Sequence, residues 1–129
     1  MEPPRAWFFD DVEVGRAFSG QGRTIPESDP VWFAGWSWDT NPPHTDAVHM
    51  ASSRCGEPIA HGLPGMSVAM GLASRLGVFD ACSIALLGVD GWRFQVPVVV
   101  GDTVRCGSRS SAPGSPPPVT AGCSSGGSS

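Results

Sequence analysis

The chain has 129 residues, enough for one domain and one core. Its net charge is −4 with eight Lys+Arg scattered along the sequence, which excludes the basic footprint of a nucleic-acid binder. Gly and Pro together make 30 of the 129 residues, a high share, and nine of them fall in the last 23 residues.

The first residues, Met1 to Trp7, carry neither a basic segment nor a long apolar run, so no secretory signal is expected. No stretch approaches the roughly 18 apolar residues that span a bilayer. Cys55, Cys82, Cys106 and Cys123 lack CxxC spacing and read as incidental thiols of a cytoplasmic protein, not as a disulfide framework or zinc site.

In chain order, Trp7 to Gly15 is an aromatic lead-in closed by a turn glycine, and residues 16–25 follow as a first strand. Ser28 or Asp29 can cap a helix with Pro30 at its first position. Val31, Phe33, Ala34, Trp36 and Trp38 give that helix more than one apolar face, so burial is expected. The helix delivers the chain to Asp39-Thr40-Asn41-Pro42-Pro43-His44, where the prolines predict an extended, non-helical brace. Residues 45–51 predict a short helix and residues 52–58 a connector.

The strongest helical signal follows His61-Gly62. Pro64 suits the first helical position and Gly77 the residue past the end. Met66, Met70, Ala73 and Leu76 recur at helical spacing, and the small residues between them predict a helix enclosed by a sheet. Residues 83–89 and 92–96 are strand-like, the latter from the alternation of Trp92, Phe94 and Val96. Val100-Gly101-Asp102 predicts a turn, and Thr103-Val104-Arg105 opens another strand.

From Gly107 to Ser129, Gly, Ser and Pro supply 17 of 23 residues. That composition buries too little apolar surface to offset its ordering entropy, so residues 107–129 are expected to form a disordered tail behind a domain at residues 1–106.

Candidate chemistry centres on Asp39 and His44. Asp and Asn are ordinary turn formers, and on spacing alone a solvated turn is the blander reading. Against it, a histidine beyond a proline brace has few local structural tasks, and imidazole transfers protons near neutral pH. At His61-Gly62, a glycine at a helix N-terminus admits a ligand oxygen to unpaired N–H groups, or else merely makes the turn while His61 packs. Asp39, His44, Asp46, His49 and His61 fall within 23 positions. However, His44 and His49 lack the i, i+4 spacing of a zinc-protease pair, so no metal is expected. Gly65-Met66-Ser67 lacks the second glycine and the strand of a nucleophile elbow, leaving Ser67 as a small helix residue.

Taken together, these residues resemble the MaoC-like dehydratase family, the (R)-specific enoyl-CoA hydratases of the hot-dog fold. The likeness runs from Trp7 to Arg105. It rests on the Val14-Gly15 turn, the Phe33-Ala34-Gly35-Trp36-Ser37 helix, the Asp-x-Asn-Pro-x-His pattern at 39–44, Ile59-Ala60-His61-Gly62, and Val100-Gly101-Asp102-Thr103-Val104. The resemblance implies an α+β fold with a long helix wrapped by a curved antiparallel sheet, a homodimer, and an acyl-CoA or acyl-carrier-protein substrate. No cofactor is implied. Asp39 and His44 would activate one water, Asn41 would orient them, and the Gly62 N–H would bind the thioester oxygen, with His61 supporting. A hot-dog thioesterase and an inactive fragment or acyl-binding partner subunit are the rival readings.

Two departures stand out. The family commonly has Ser-Gly before the aspartate where this chain has Ser37-Trp38, so an added indole is expected to reshape the pocket. After Arg105 the family continues through two further long strands, whereas this chain turns to low complexity, as frame-shifted GC-rich DNA would give. A chain short of those strands is expected to be poorly stable.

Overall fold

The computed structural model describes residues 11–80 and 83–110, and the backbone of 119–124. Three strands form one antiparallel sheet in the order β1 (Ala17–Thr24), β2 (Thr103–Arg109), β3 (Val119–Ser124). Ala17 pairs with Arg109 at one end of the first ladder and Thr24 with Thr103 at the other, with an irregularity between Ser19 and Gly22. Val104 and Cys106 alternate inward along β2, as a half-buried strand requires. A side chain at Gly20 would meet Leu76 Cδ2 at 2.8 Å, so the glycine lets the helical layer close on the irregular strand.

Four helices precede β2. They are α1 (Ser28–Ser37), α2 (Pro42–Thr45), α3 (Ala47–Ala51) and α4 (Gly62–Ser74). The last lies on β1 and β2, burying Ala69, Leu72 and Ala73. Ile25, Leu72, Ala73, Val104 and Cys106 make the core, with Val68 and Val98 against it. Burial pushes the Cys106 thiol pKa up, so it stays protonated and packs as a small apolar group. Arg23, near the end of β1, donates to Asp29 on α1, and that hydrogen bond raises the guanidinium pKa further.

The turn at residues 98–102 joins this core to the candidate site. Gly101 takes a positive φ of 92°, which a residue with Cβ resists. Gly101 N–H donates to the Ile25 carbonyl, and Ile25 N–H donates back to the Asp102 carbonyl, both at 2.9 Å. The Asp102 carboxylate is buried and accepts the Val99 N–H at 3.0 Å. From the same turn, the Val98 carbonyl accepts the Ala60 N–H at 2.7 Å, and Val99 bridges Ile59. Replacing Asp102 by Ala leaves the part-buried Val99 N–H without its acceptor, so unfolding in urea is expected to be easier by about 1 kcal/mol.

Several expectations are corrected. The proline pair does not prevent a helix: Pro42 and Pro43 occupy the first two positions of α2, where a missing N–H costs nothing, and Asn41 takes the extended conformation before them. The first helix is not buried, because only Ala34 is covered while Val31, Trp32 and Trp36 face solvent. Its cap residue is Glu27, with no side-chain capping bond, and Pro30 sits two positions later than expected. Gly62 is the first residue of α4, not a residue outside it, so Pro64 is its third. Residues 83–98 hold no strand among the described residues. Alternation defines a face, but a strand also needs a neighbour for its N–H and C=O groups, and that segment pairs with neither edge of the described sheet.

Within residues 107–129, Gly107–Arg109 continue β2, and Val119–Ser124 pair with it from Ser108↔Val119 to Thr103↔Ser124. Backbone groups make this ladder, so small side chains do not prevent it. Residues 111–118 and 125–129 of the expected tail lie outside the described residues. No helix of the described residues is long and apolar enough to cross a membrane.

Candidate active site

Asp39, His44 and His61 come together from three elements: the turn after α1, the middle of α2 and the cap of α4. One ligand-type atom from each lies within 4.8 Å of the others. Trp38 ends α1 with φ 63° and ψ 12°, a left-handed turn that swings Asp39 toward α4. The Ser37 hydroxyl donates to the Phe33 carbonyl at 2.7 Å and accepts the Asp39 N–H at 3.2 Å, tying this turn to the helix. The Thr45 hydroxyl donates to the Thr40 and Asn41 carbonyls across the loop.

The histidine protonation pattern follows from the partners. His44 Nδ1 lies 2.8 Å from the Ile59 carbonyl, which only accepts, so Nδ1 carries the proton. In the neutral ring this leaves Nε2 of His44 with a lone pair, the form that a general base needs. His61 Nε2 lies 2.8 Å from the backbone carbonyl of Asp39 and therefore donates to it. The Asp39 Oδ2 is 4.0 Å from the same nitrogen. The two imidazoles stack at 3.8 Å between centroids and 25° between planes, and the Phe33 ring lies tilted against His61 at 4.8 Å.

Burial divides the trio. His61 is 3% exposed, whereas the Asp39 side chain is 48% exposed and His44 half-buried. The buried ring fixes positions, and the two open groups are accessible to water. The same three side chains bring one possible ligand atom each close enough to share a metal ion, although stacking of the two imidazoles is an unusual arrangement for a pair of ligands.

Asn41 acts through its backbone: its N–H meets Asp39 Oδ1 at 3.4 Å, while its carbonyl accepts the His44 N–H at 2.9 Å. Gly62 follows His61 directly, and no side chain caps this end of α4. A Cβ at Gly62 would meet the Phe94 ring at 2.9 Å, so the position has room only for glycine unless that ring moves. Asp46 and His49 belong elsewhere, since the Asp46 carboxylate caps α3 by accepting the His49 N–H at 2.8 Å.

Sequence reasoning missed three participants: Phe33, the Ile59 carbonyl and Phe94. The first sits in a run of aromatics that gives no sign of which ring turns inward. The second is a main-chain group at a spacing of 15 residues, which no side-chain pattern encodes.

A helix laid on an antiparallel sheet, with a carboxylate and two imidazoles gathered at its N-terminus, defines an α+β protein of the hot-dog fold. The chain belongs to the MaoC-like family, since the model described as MaoC like domain matches residues 11–111. It is 36% identical to Protein MaoC of Klebsiella aerogenes over 98 residues, 76% of this chain and 29% of that protein. It is 35% identical to an (R)-specific enoyl-CoA hydratase of Rhodospirillum rubrum over 97 residues, 75% of this chain and 65% of that one. The chain thus spans less than two thirds of each of these curated relatives. Among solved structures, the monoamine oxidase regulatory protein of Archaeoglobus fulgidus superposes with a TM-score of 0.73 at 33% identity, over 82% of this chain and 72% of that one.

Proposed function

We propose that the chain hydrates trans-2-enoyl thioesters to (R)-3-hydroxyacyl thioesters, and runs the reverse dehydration. The observation that carries this reading is the pairing of an accessible carboxylate with an imidazole whose Nδ1–H is committed to the Ile59 carbonyl. Asp39 and the Nε2 of His44 hold one water between them. As its oxygen attacks C3, His44 takes its proton, the C2–C3 double-bond electrons shift toward the thioester, and the enolate oxygen forms against the Gly62 N–H. A proton returned from the pair to C2 completes the addition. Uncapped first-turn amides and the positive end of a helix favour the enolate over the neutral thioester, which is what lowers the barrier. Asn41 steadies Asp39 and His61 supports both. No cofactor takes part, and the substrate is a CoA or carrier-protein thioester.

Crotonyl-CoA tests the reading directly. The expected result is loss of enone absorbance with no free thiol released. Loss of the enone absorbance accompanied by an equal release of free thiol would assign a thioesterase instead, and no change in either signal would reject catalysis on this substrate class.

A further inference from the structure

Trp38 is the only non-glycine residue with a positive φ among the described residues. The left-handed turn itself has a clear purpose, because it carries Asp39 from the end of α1 to the carbonyl contact with His61. The Thr40 N–H to Trp38 carbonyl bond at 3.0 Å and the Ser37 hydroxyl bridge hold it in place. None of this needs an indole. Glycine would take the same backbone without strain, and for a bulky side chain the conformation is a true outlier.

Among the described residues, no packing offsets the strain. Trp38 is 87% exposed, more than Trp32 or Trp36, which stack on each other at 5.7 Å. It has no ring partner among the described residues. A large apolar group held in a strained conformation, uncovered, and next to a carboxylate at the candidate site points to a contact made only when something is bound.

We infer that the Trp38 indole closes over the acyl carbons of the bound thioester, beside the carbon that Asp39 and His44 attack. The inference rests on the hydratase reading of the site and names the part of the substrate that residue 38 recognises. Reach limits that part: neighbouring Cα atoms lie about 3.8 Å apart, so an indole at 38 is close enough to meet the carbons bordering Asp39. A nucleotide at the far end of a pantetheine arm lies beyond it. Planar aromatic faces cover alkyl chains at low entropic cost, because few torsions are frozen.

The test uses saturated butyryl-CoA and free CoA as probes, with binding followed by calorimetry on the full chain. For Trp38→Gly, the affinity for butyryl-CoA is expected to fall about tenfold while that for CoA stays the same, and Trp38→Phe is expected to retain most of the butyryl-CoA affinity. The same glycine variant is expected to melt about 2–5 °C higher, since strain is relieved and no contact is lost. A residue kept for structure gives the opposite sign.

Equal weakening of both probes, unchanged butyryl-CoA affinity, or a lower melting temperature each overturn the inference. So does a change in oligomeric state with affinity preserved, which would place the indole between two copies of the chain. Because the probes are not turned over, the outcomes separate. Trp38-dependent butyryl-CoA binding without crotonyl-CoA hydration rejects the hydratase reading and leaves the acyl contact standing.

Discussion

Replacing His44 by Asn is expected to lower kcat/KM for crotonyl-CoA hydration by about 10²- to 10⁴-fold, the usual contribution of one general acid–base group. The asparagine amide N–H stands where the Nδ1–H stood and can still donate to the Ile59 carbonyl, so the native bond at 2.8 Å has a substitute and the fold is retained. What is lost is the Nε2 lone pair. A melting temperature within a few degrees of the parent, together with a collapse of kcat, identifies a chemical role. Asp39→Asn keeps the shape of the half-exposed side chain and removes only the charge, with a similar loss expected. Because the two groups handle one water, the double variant is expected to be hardly worse than either single one. Independent, multiplying losses would show that they do not act as a unit.

His61 is a poor choice for the same experiment. It is buried against Phe33 and His44, and its Nε2–H holds the Asp39 carbonyl, so its removal disturbs positions as well as protons. The sequence already marked His44 as the candidate base and left His61 supporting or simply packed; the physical difference between the two rings was not legible there. It comes from burial, which depends on where α1 and α4 cross.

The parts of the fold that were legible share a local cause. The existence of α4 after His61, though not its first residue, the glycine turn at 101 and the first strand are each encoded within a few residues. The parts that were misread depend on neighbours. Trp92, Phe94 and Val96 alternate as a strand should, but Phe94 instead lies against Gly62 and Val96 remains open to solvent. The apolar faces of α1 predicted burial, yet two of its tryptophans stack on each other at the surface, and no further layer covers them among the described residues. For the proline pair the reasoning chose the wrong rule. Prolines break helix interiors but suit first turns, and Asn41 before them in extended geometry marks a helix beginning.

Leu72→Ala is expected to have the largest effect on stability. Leu72 is the largest side chain that α4 contributes to a core otherwise made of Ile25, Ala73, Val104 and Cys106. Truncating a buried leucine costs about 2–5 kcal/mol, from lost transfer energy and from the cavity left behind. A domain has only about 5–15 kcal/mol in all. Here eight hydrophobic residues are buried among those described, and large apolar groups such as Ile84 and Leu87 are fully open, which places the chain toward the lower end. The variant is therefore expected to melt at least about 10 °C lower, with a broadened transition, or to be unfolded at room temperature. Trp32→Ala supplies the control, since that ring is 66% exposed and its removal is expected to shift stability by less than about 1 kcal/mol. Circular dichroism melts of the two variants beside the parent decide the matter: equal, small shifts would mean that the helix does not bury Leu72 against β1 and β2, and a sharp, high-temperature melt of the parent would mean that more of the chain is packed than these five residues account for.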